Sequence, residues 1–176
     1  MLSEPFPATL DVRKAAMRKV SVRGVLKPTD LPRLRGMLAD DDGSISVEMA
    51  FGKDDQDRVV IDLGVEAELV VTCQRCLEAM PHQLSAGNRL ALVWSDAQAA
   101  ALPRDLDPLI ADDAQCDLWA VVEEELMLAL PAFSYHDTEE CRQSLTAYAD
   151  PPPVEEAGTD APNPFGVLEQ LKPGEK

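Results

Sequence analysis

The fold of this chain is decided by the stretch Val59-Val60-Ile61-Asp62-Leu63-Gly64-Val65-Glu66-Ala67-Glu68-Leu69-Val70-Val71-Thr72. Apolar residues occupy every second position of it from 59 to 71, while Asp62, Glu66 and Glu68 fall on the opposite face. Alternation with a period of two over this length is typical of a strand with one buried and one exposed face in an antiparallel sheet. The stretch therefore predicts a long, half-buried strand that belongs to a hairpin.

Segments with the same alternation flank this strand. Ser44–Phe51 precedes it across the polar turn Gly52–Asp57, and His82–Trp94 follows it. A shorter alternating segment, Lys19–Leu26, predicts one more strand. Together these segments predict an antiparallel sheet or a partly closed barrel, built mainly from residues 18–94.

Helical patterns complete a predicted α+β fold. Asp11–Met17 is typical of a short basic helix, and Leu31–Leu38 carries apolar residues at helical spacing. The main helix is predicted over Asp117–Leu130, with Asp117 as its N-cap and Pro131 preventing its continuation. This helix is expected to cover the sheet, and residues 95–115 are predicted to form a loop.

One acidic side chain of the main helix falls within its apolar stripe. On a helical wheel Glu125 lies among the apolar residues, whereas Glu123 and Glu124 are expected to face away. A buried carboxylate needs a cationic or hydrogen-bonding partner. The alternative is that Glu125 lies at the solvated edge of the stripe.

The composition changes at Asp150, which opens a segment with six prolines in 27 residues. This composition predicts a mostly disordered, acidic tail over residues 150–176 and a single α+β domain over residues 1–149. The tail contains one short apolar segment, which is a candidate partner-binding element: Asn163, Pro164, Phe165 and Leu168.

The net charge of −16 is distributed unevenly. Residues 1–36 contain eight basic and three acidic residues, a balance of +5, and residues 37–176 contain eight basic and 29 acidic residues, a balance of −21. Such asymmetry allows a basic face for RNA and an acidic face for cationic proteins, although a solvated surface that keeps the protein soluble is the simpler alternative. The candidate RNA-binding residues are Arg13, Lys14, Arg18, Lys19 and Arg23.

Several functional classes have no motif in this sequence. Phosphate-binding loops of the G-x-x-x-x-G-K-[ST] and G-x-G-x-x-G types are absent, as are the aromatic and glycine signatures of common RNA-binding modules. The compact acidic candidates for a metal-dependent enzyme are Asp112, Asp113 and Asp117, and loop solvation explains them more simply. The sequence also has no secretory signal and no apolar run of ~18 residues, so we expect a cytoplasmic protein.

Cys73 and Cys76 form a Cys-x-x-Cys pair, the spacing with which two thiolates reach one tetrahedral zinc ion from a tight turn. His136 and Cys141, just beyond the main helix, are candidates for the other two ligands, and His82 competes for the fourth position. In the alternative interpretation, Cys73 is a small core residue and the others are ordinary turn residues. A thioredoxin-like redox pair is disfavoured because no βαβ pattern surrounds the motif.

These motifs in combination resemble the YceD-like family, whose members are described as large ribosomal RNA subunit accumulation proteins. The residues that carry the resemblance are the opening Leu10-Asp11 with Arg13 and Ala15, then Val71–Cys76, Asp117-Leu118, Val122-Glu123 with Glu125, Ala129–Pro131, His136-Asp137 with Cys141, and the tail residues Asn163–Phe165, Val167-Leu168 and Leu171-Lys172. The resemblance implies a cytoplasmic bacterial protein that is needed for the synthesis, processing or stability of 23S ribosomal RNA. It implies no enzymatic reaction.

The resemblance also bears on ligands and partners. Both the Cys-x-x-Cys and the His-x4-Cys match the family pattern, which favours a zinc site made of Cys73, Cys76, His136 and Cys141. The implied partners are a large-subunit pre-ribosomal particle or a precursor of 23S ribosomal RNA, together with basic ribosomal or maturation proteins; neither a membrane nor DNA is expected. An RNA-free adaptor or chaperone for basic ribosomal proteins remains an alternative, as does a metal-dependent RNA-processing enzyme.

Overall fold

A computed structural model of the chain describes residues 6–144. The predicted tail over residues 150–176, its candidate segment Asn163–Leu168 and the domain boundary at residue 149 all lie outside the described residues. Within them, the strands are β1 (Thr9–Asp11), β2 (Ser21–Leu26), β3 (Gly43–Lys53), β4 (Val59–Thr72), β5 (Ala79–Val93), β6 (Asp107–Ile110) and β7 (Gln115–Asp117). The α-helices are α1 (Val12–Arg18), α2 (Pro32–Arg35), α3 (Asp96–Ala100), α4 (Leu118–Ala129) and α5 (Glu139–Gln143). The α+β class predicted from the sequence is confirmed.

The main sheet has five strands in the order β2-β3-β4-β5-β6, and the pairs β2–β3, β3–β4 and β4–β5 are antiparallel. At its centre Val65 of β4 pairs with Val47 on one side and with Ala86 on the other. The sheet is open, with β2 and β6 at its edges. Of the two predicted alternatives, an antiparallel sheet or a partly closed barrel, the structure therefore has the sheet.

The core lies between one face of this sheet and three helices, α1, α2 and α4. The inward positions of β3, β4 and β5 are the apolar residues of the period-two pattern: Ile45, Val47, Met49, Phe51, Ile61, Leu63, Val65, Ala67, Leu69, Leu90 and Leu92. From α4, Leu118, Val122 and Leu126 pack against them with no exposed surface. Burial of apolar side chains on this scale is the main driving force of the fold.

The loop predicted over residues 95–115 is wrong in part, because it contains α3, β6 and the beginning of β7. β6 lies parallel to the end of β5, with Leu92 opposite Leu109. β7 forms a separate two-stranded sheet with β1, in which Leu10 is opposite Cys116. Strands of three or four residues are too short to produce a recognisable alternation, and their pairing partners are distant in the sequence.

The main helix agrees with the prediction, and Oδ1 of Asp117 caps it by accepting the backbone N–H groups of Trp119 and Ala120. Glu125 is buried and has the predicted partner, since Nδ2 of Asn88 on β5 donates to its carboxylate over 2.7 Å. Burial raises the pKa of Glu125; the hydrogen bond from Asn88 opposes this shift, and the nearby carboxylates of Asp107 and Glu124 add to it.

The prediction that Glu123 faces away from the core is wrong. Only 5% of Glu123 is exposed, and its Oε1 accepts the backbone N–H groups of Arg33 at 2.7 Å and Leu34 at 3.2 Å. These groups belong to the first turn of α2, where backbone donors have no partner within the helix. A helical wheel of the main helix does not show that Glu123 is buried, because the burial comes from α2, which packs against the side of the helix where Glu123 lies.

Candidate metal centre

The first half of the cysteine–histidine site is the turn that joins β4 to β5. The backbone N–H of Cys73 donates to Glu78 over 2.8 Å, and the N–H of Leu77 donates to the carbonyl of Cys73 over 2.9 Å. Leu77 has a φ of 64°, a left-handed conformation that closes the turn. Cys73 is fully buried and Cys76 is half-buried.

The second half is the segment that follows α4. Pro131 ends that helix, and the backbone N–H of Gln74 then donates to the carbonyl of Ser134 over 2.9 Å. This bond holds the segment against the turn. Thr138 caps α5 by accepting the N–H of Cys141, which orients the buried thiol of that residue toward the turn.

The two halves bring Cys73, Cys76, His136 and Cys141 together, as the sequence predicts. Their ligand atoms all lie within 4.8 Å of one another. Sγ of Cys73 is 3.5 Å from Sγ of Cys141, and Sγ of Cys76 is 3.3 Å from Nδ1 of His136. The four side chains are therefore close enough to bind one metal ion.

The electrostatics of the cluster favour a thiolate at its most buried position. Burial raises the pKa of the Cys73 thiol, but the backbone N–H groups of Cys76, His136 and Arg75 outweigh it and lower the pKa to about 5. At Cys76 the backbone N–H of Glu78 lowers the pKa, but burial and the neighbouring thiols of Cys73 and Cys141 outweigh it, and the pKa is raised. A cation at the centre would relieve this competition between thiols.

The donor set fits zinc in both chemistry and spacing. Zinc–sulfur bonds of about 2.3 Å and zinc–nitrogen bonds of about 2.0 Å place the ligands of a tetrahedron roughly 3.5 Å apart. The two short pairs of the cluster, at 3.5 and 3.3 Å, already have this spacing. Three sulfurs and one imidazole nitrogen fill four positions, which is the arrangement of structural sites.

Two sets of competing candidates do not join this cluster. His82 lies on β5, opposite Leu69, and is not part of the group of metal-ligating atoms found among residues 6–144. Asp113 and Asp117 accept the backbone N–H groups of neighbouring residues, and no acidic metal cluster forms around them within the described chain.

The structure places the predicted basic residues on α1 and β2. All five are exposed: Arg13, Lys14, Arg18, Lys19 and Arg23. The first four lie on or directly after α1, whose buried side consists of Val12, Ala15 and Ala16. Arg23 lies apart from them on β2 and forms an ion pair with Glu48.

Sequence reasoning missed one residue beside the basic helix. The alternating pattern assigns Trp94 to the inward face of the third long strand, but β5 ends at Val93, and 41% of Trp94 is exposed. The guanidinium carbon of Arg13 lies 5.9 Å from the centre of the Trp94 ring. The sequence did contain a signal for this exposure, because Trp94 is the last residue of its alternating segment, where a strand can end early.

The chain is similar to known proteins over most of its length. Residues 61–172, which include all four members of the cluster, match a family model described as large ribosomal RNA subunit accumulation protein YceD. The chain belongs to the YceD family.

A relative in this family is the large ribosomal RNA subunit accumulation protein YceD of Haemophilus influenzae. It is 32% identical over 168 residues, which cover 95% of this chain and 96% of the relative. Coverage of this extent includes α1, which the YceD family model does not reach. No solved structure matches the chain. Among the described residues, no helix is both long and apolar enough to cross a membrane.

Proposed function

We propose that this protein is a cytoplasmic ribosome-biogenesis factor that supports the accumulation of 23S ribosomal RNA by binding and not by catalysis. Its membership of the YceD family, and the name of its relative in Haemophilus influenzae, support a role in large-subunit RNA accumulation. The proposed partner is a precursor of 23S ribosomal RNA, or the large-subunit particle that contains it.

The observation that carries the binding mechanism is the exposed positive surface of α1. The helix buries its apolar residues against the sheet, so that its cations project into solvent. Within residues 6–144, Arg18 and Lys19 have no ion-pair partner, whereas Lys14 pairs with Asp11. Unpaired cations on one surface are the groups that replace counterions on a phosphate backbone. Binding through them is expected to be sensitive to salt.

A structural zinc ion held by Cys73, Cys76, His136 and Cys141 is part of this proposal. The spacing and chemistry of the four donors support it. Bound there, zinc would tie the segment after α4 to the turn after β4. Its four protein ligands would leave no position for a substrate, so its role is to stabilise the fold.

The proposal is tested by reversing the charge of the unpaired cations. The double variant Arg18→Glu/Lys19→Glu is expected to lose co-sedimentation with pre-ribosomal particles. A matched control, Lys27→Glu/Arg104→Glu, changes the net charge by the same amount at exposed positions outside α1. Unchanged co-sedimentation of the α1 variant would show that Arg18 and Lys19 are not needed for binding, and would contradict RNA contact through this helix.

A second candidate is an adaptor or chaperone that binds basic ribosomal or maturation proteins without RNA. The observation that favours it is a group of exposed apolar residues close to the cysteine–histidine cluster: Leu77, Phe133 and Tyr135, with 76%, 66% and 46% of their surface exposed. Exposed carboxylates adjoin them in the sequence, including Glu78, Glu139 and Glu140. The mark of this function would be binding of basic ribosomal proteins that persists after nuclease treatment and is lost on Phe133→Ser.

A further inference from the structure

Trp94 lies in a cleft at one end of the main sheet. The cleft has a volume of about 380 Å³ and is lined by residues of α1, the β3–β4 turn, the end of β5 and the α3 region. Trp94 is held at its backbone, because its N–H donates to the side chain of Gln98 over 2.7 Å. An exposed tryptophan with a fixed backbone and open space beside it has a ring available for stacking.

The charged residues around this cleft leave Arg13 as its available cation. Arg58 is engaged with Asp54 over 2.6 Å, and Asp57 pairs with Lys53 over 2.8 Å. Arg13 forms no ion pair within the described chain, although the carboxylate of Asp11 acts on it electrostatically, and its guanidinium lies over the Trp94 ring. The cleft is therefore an aromatic surface beside one cation that is not engaged in an ion pair.

The cleft borders the basic helix α1, because Arg13 of that helix lines it. Arg18 lies five positions further along the same helix, a rise of about 8 Å and a rotation of about 140° about the helix axis. The arrangement combines an aromatic ring for a base with two exposed cations, Arg13 and Arg18, for the phosphates that flank it. This is the combination by which proteins hold single-stranded nucleic acid.

We infer that the Trp94 cleft binds a nucleobase of single-stranded RNA, with Arg13 and Arg18 contacting the adjoining phosphates. The inference rests on the proposed function and deepens it, since it specifies single-stranded RNA and names the residue that stacks. An acidic polypeptide could neutralise the same cations but would not use the ring for stacking. The combination of ring and cations therefore favours RNA.

This site is separate from the cysteine–histidine cluster. Val59 begins β4 beside the cleft, whereas Thr72 ends the same strand beside Cys73. A strand of 14 residues spans roughly 45 Å when extended, so the two sites lie at opposite ends of the sheet. Changes at Trp94 are therefore not expected to alter binding of a metal by the cluster.

Tryptophan fluorescence provides a direct test, because the chain has only two tryptophans. The other, Trp119, is half-buried and donates its indole N–H to the carbonyl of Phe6 over 3.1 Å. In a Trp119→Phe variant of the full chain, a single-stranded oligouridylate is expected to quench the remaining emission from Trp94. In Trp94→Phe, whose emission comes from Trp119, the quenching should disappear.

Affinity measured by anisotropy of a labelled oligonucleotide gives the second readout. Trp94→Ala should weaken binding about tenfold or more, and Trp94→Phe should weaken it less because a ring remains. Adenosine monophosphate alone should not compete at similar concentrations, since it lacks the phosphates that reach Arg18. Competition by the mononucleotide at concentrations comparable with the oligonucleotide would overturn the RNA assignment.

RNA binding by the protein and stacking on Trp94 can be refuted separately. If no variant and no wild-type protein binds RNA, both the proposed function and this inference are wrong. If wild-type protein binds RNA in a salt-sensitive manner but Trp94→Ala binds equally well, and Trp94 emission is not quenched, only the inference is overturned. Binding of an acidic peptide at Trp94 in preference to RNA would also overturn it.

Discussion

Sγ of Cys73 lies 3.5 Å from Sγ of Cys141, although 68 residues separate the two in the sequence. The first is at the end of the central strand β4 and the second is on α5, so their contact joins the far end of the sheet to the segment that follows α4. With Cys76 and His136 they form a four-donor cluster at this junction. We therefore expect binding of a metal ion to be coupled to the order of the segment after α4.

Elemental analysis of protein purified without chelators should find about one zinc ion per chain, because the four donors can complete a tetrahedron. Cys141→Ser should reduce the zinc content substantially and lower the melting temperature, since it removes a ligand that belongs to the second half of the site. Cys116→Ser is the matched control. That residue is also a buried cysteine, but it lies on β7, outside the cluster.

The two variants separate loss of metal from loss of a buried thiol. Substoichiometric metal in the wild-type protein, with the thiols of Cys73, Cys76 and Cys141 freely titratable, would contradict the zinc site. Equal zinc content in Cys141→Ser and wild type would contradict the assignment of Cys141 as a ligand.

The buried carboxylate of Glu123 should contribute to stability through α2. Glu123→Ala leaves the N–H groups of Arg33 and Leu34 without their acceptor, and we expect it to lower the free energy of unfolding by about 1–3 kcal/mol. Glu124→Ala removes an exposed ion pair with Arg33 and should cost less than about 1 kcal/mol. Urea unfolding of both variants measures the difference. Equal destabilisation would show that the cap is not the source of the effect.

Glu125 should make stability depend on pH in a defined direction. Its pKa in the folded protein is raised, so the folded state holds this proton more tightly than the unfolded state does. The stabilising contribution of the protonated Glu125 carboxyl group is therefore fully present below the ordinary pKa of a glutamate. It is lost as the pH rises through the raised pKa of Glu125 in the folded protein. At neutral and alkaline pH, the ionised and buried carboxylate of Glu125 lowers the free energy of unfolding.

Glu125→Gln removes this cost and keeps a group that can hydrogen-bond Asn88. Its melting temperature should exceed that of wild type at about pH 8, and the difference should shrink as the pH falls toward about 4. Glu66→Gln, at an exposed position on β4, should show no such trend. A difference between Glu125→Gln and wild type that is constant with pH would refute the assigned titration.

The long strands and the main helix could be predicted because each carries its own signal. The alternation of β4 and the N-cap and proline that bound α4 are local, and the structure follows them closely. The two halves of the four-donor cluster could also be predicted, because the spacing of Cys73 and Cys76, and of His136 and Cys141, is suited to metal ligands. The pairing of those halves, however, was supported by family resemblance and not by spacing.

What the sequence did not reveal depends on packing between distant elements. Glu123 is buried because α2, some 90 positions away in the chain, presents unpaired N–H groups to it. β6 and β7 exist because they pair with β5 and β1, and neither is long enough to show a period. Trp94 is exposed because its strand ends one residue earlier. None of these relationships is present in a local pattern.

The central claim is that the chain supports accumulation of 23S ribosomal RNA by binding RNA through the α1 surface. Crosslinking in living cells, followed by sequencing of the attached RNA, tests it most directly. We expect precursor 23S sequences to be enriched with the wild-type protein and lost with Arg18→Glu/Lys19→Glu. Absence of 23S sequences above other cellular RNA, or equal enrichment with the variant, would contradict it.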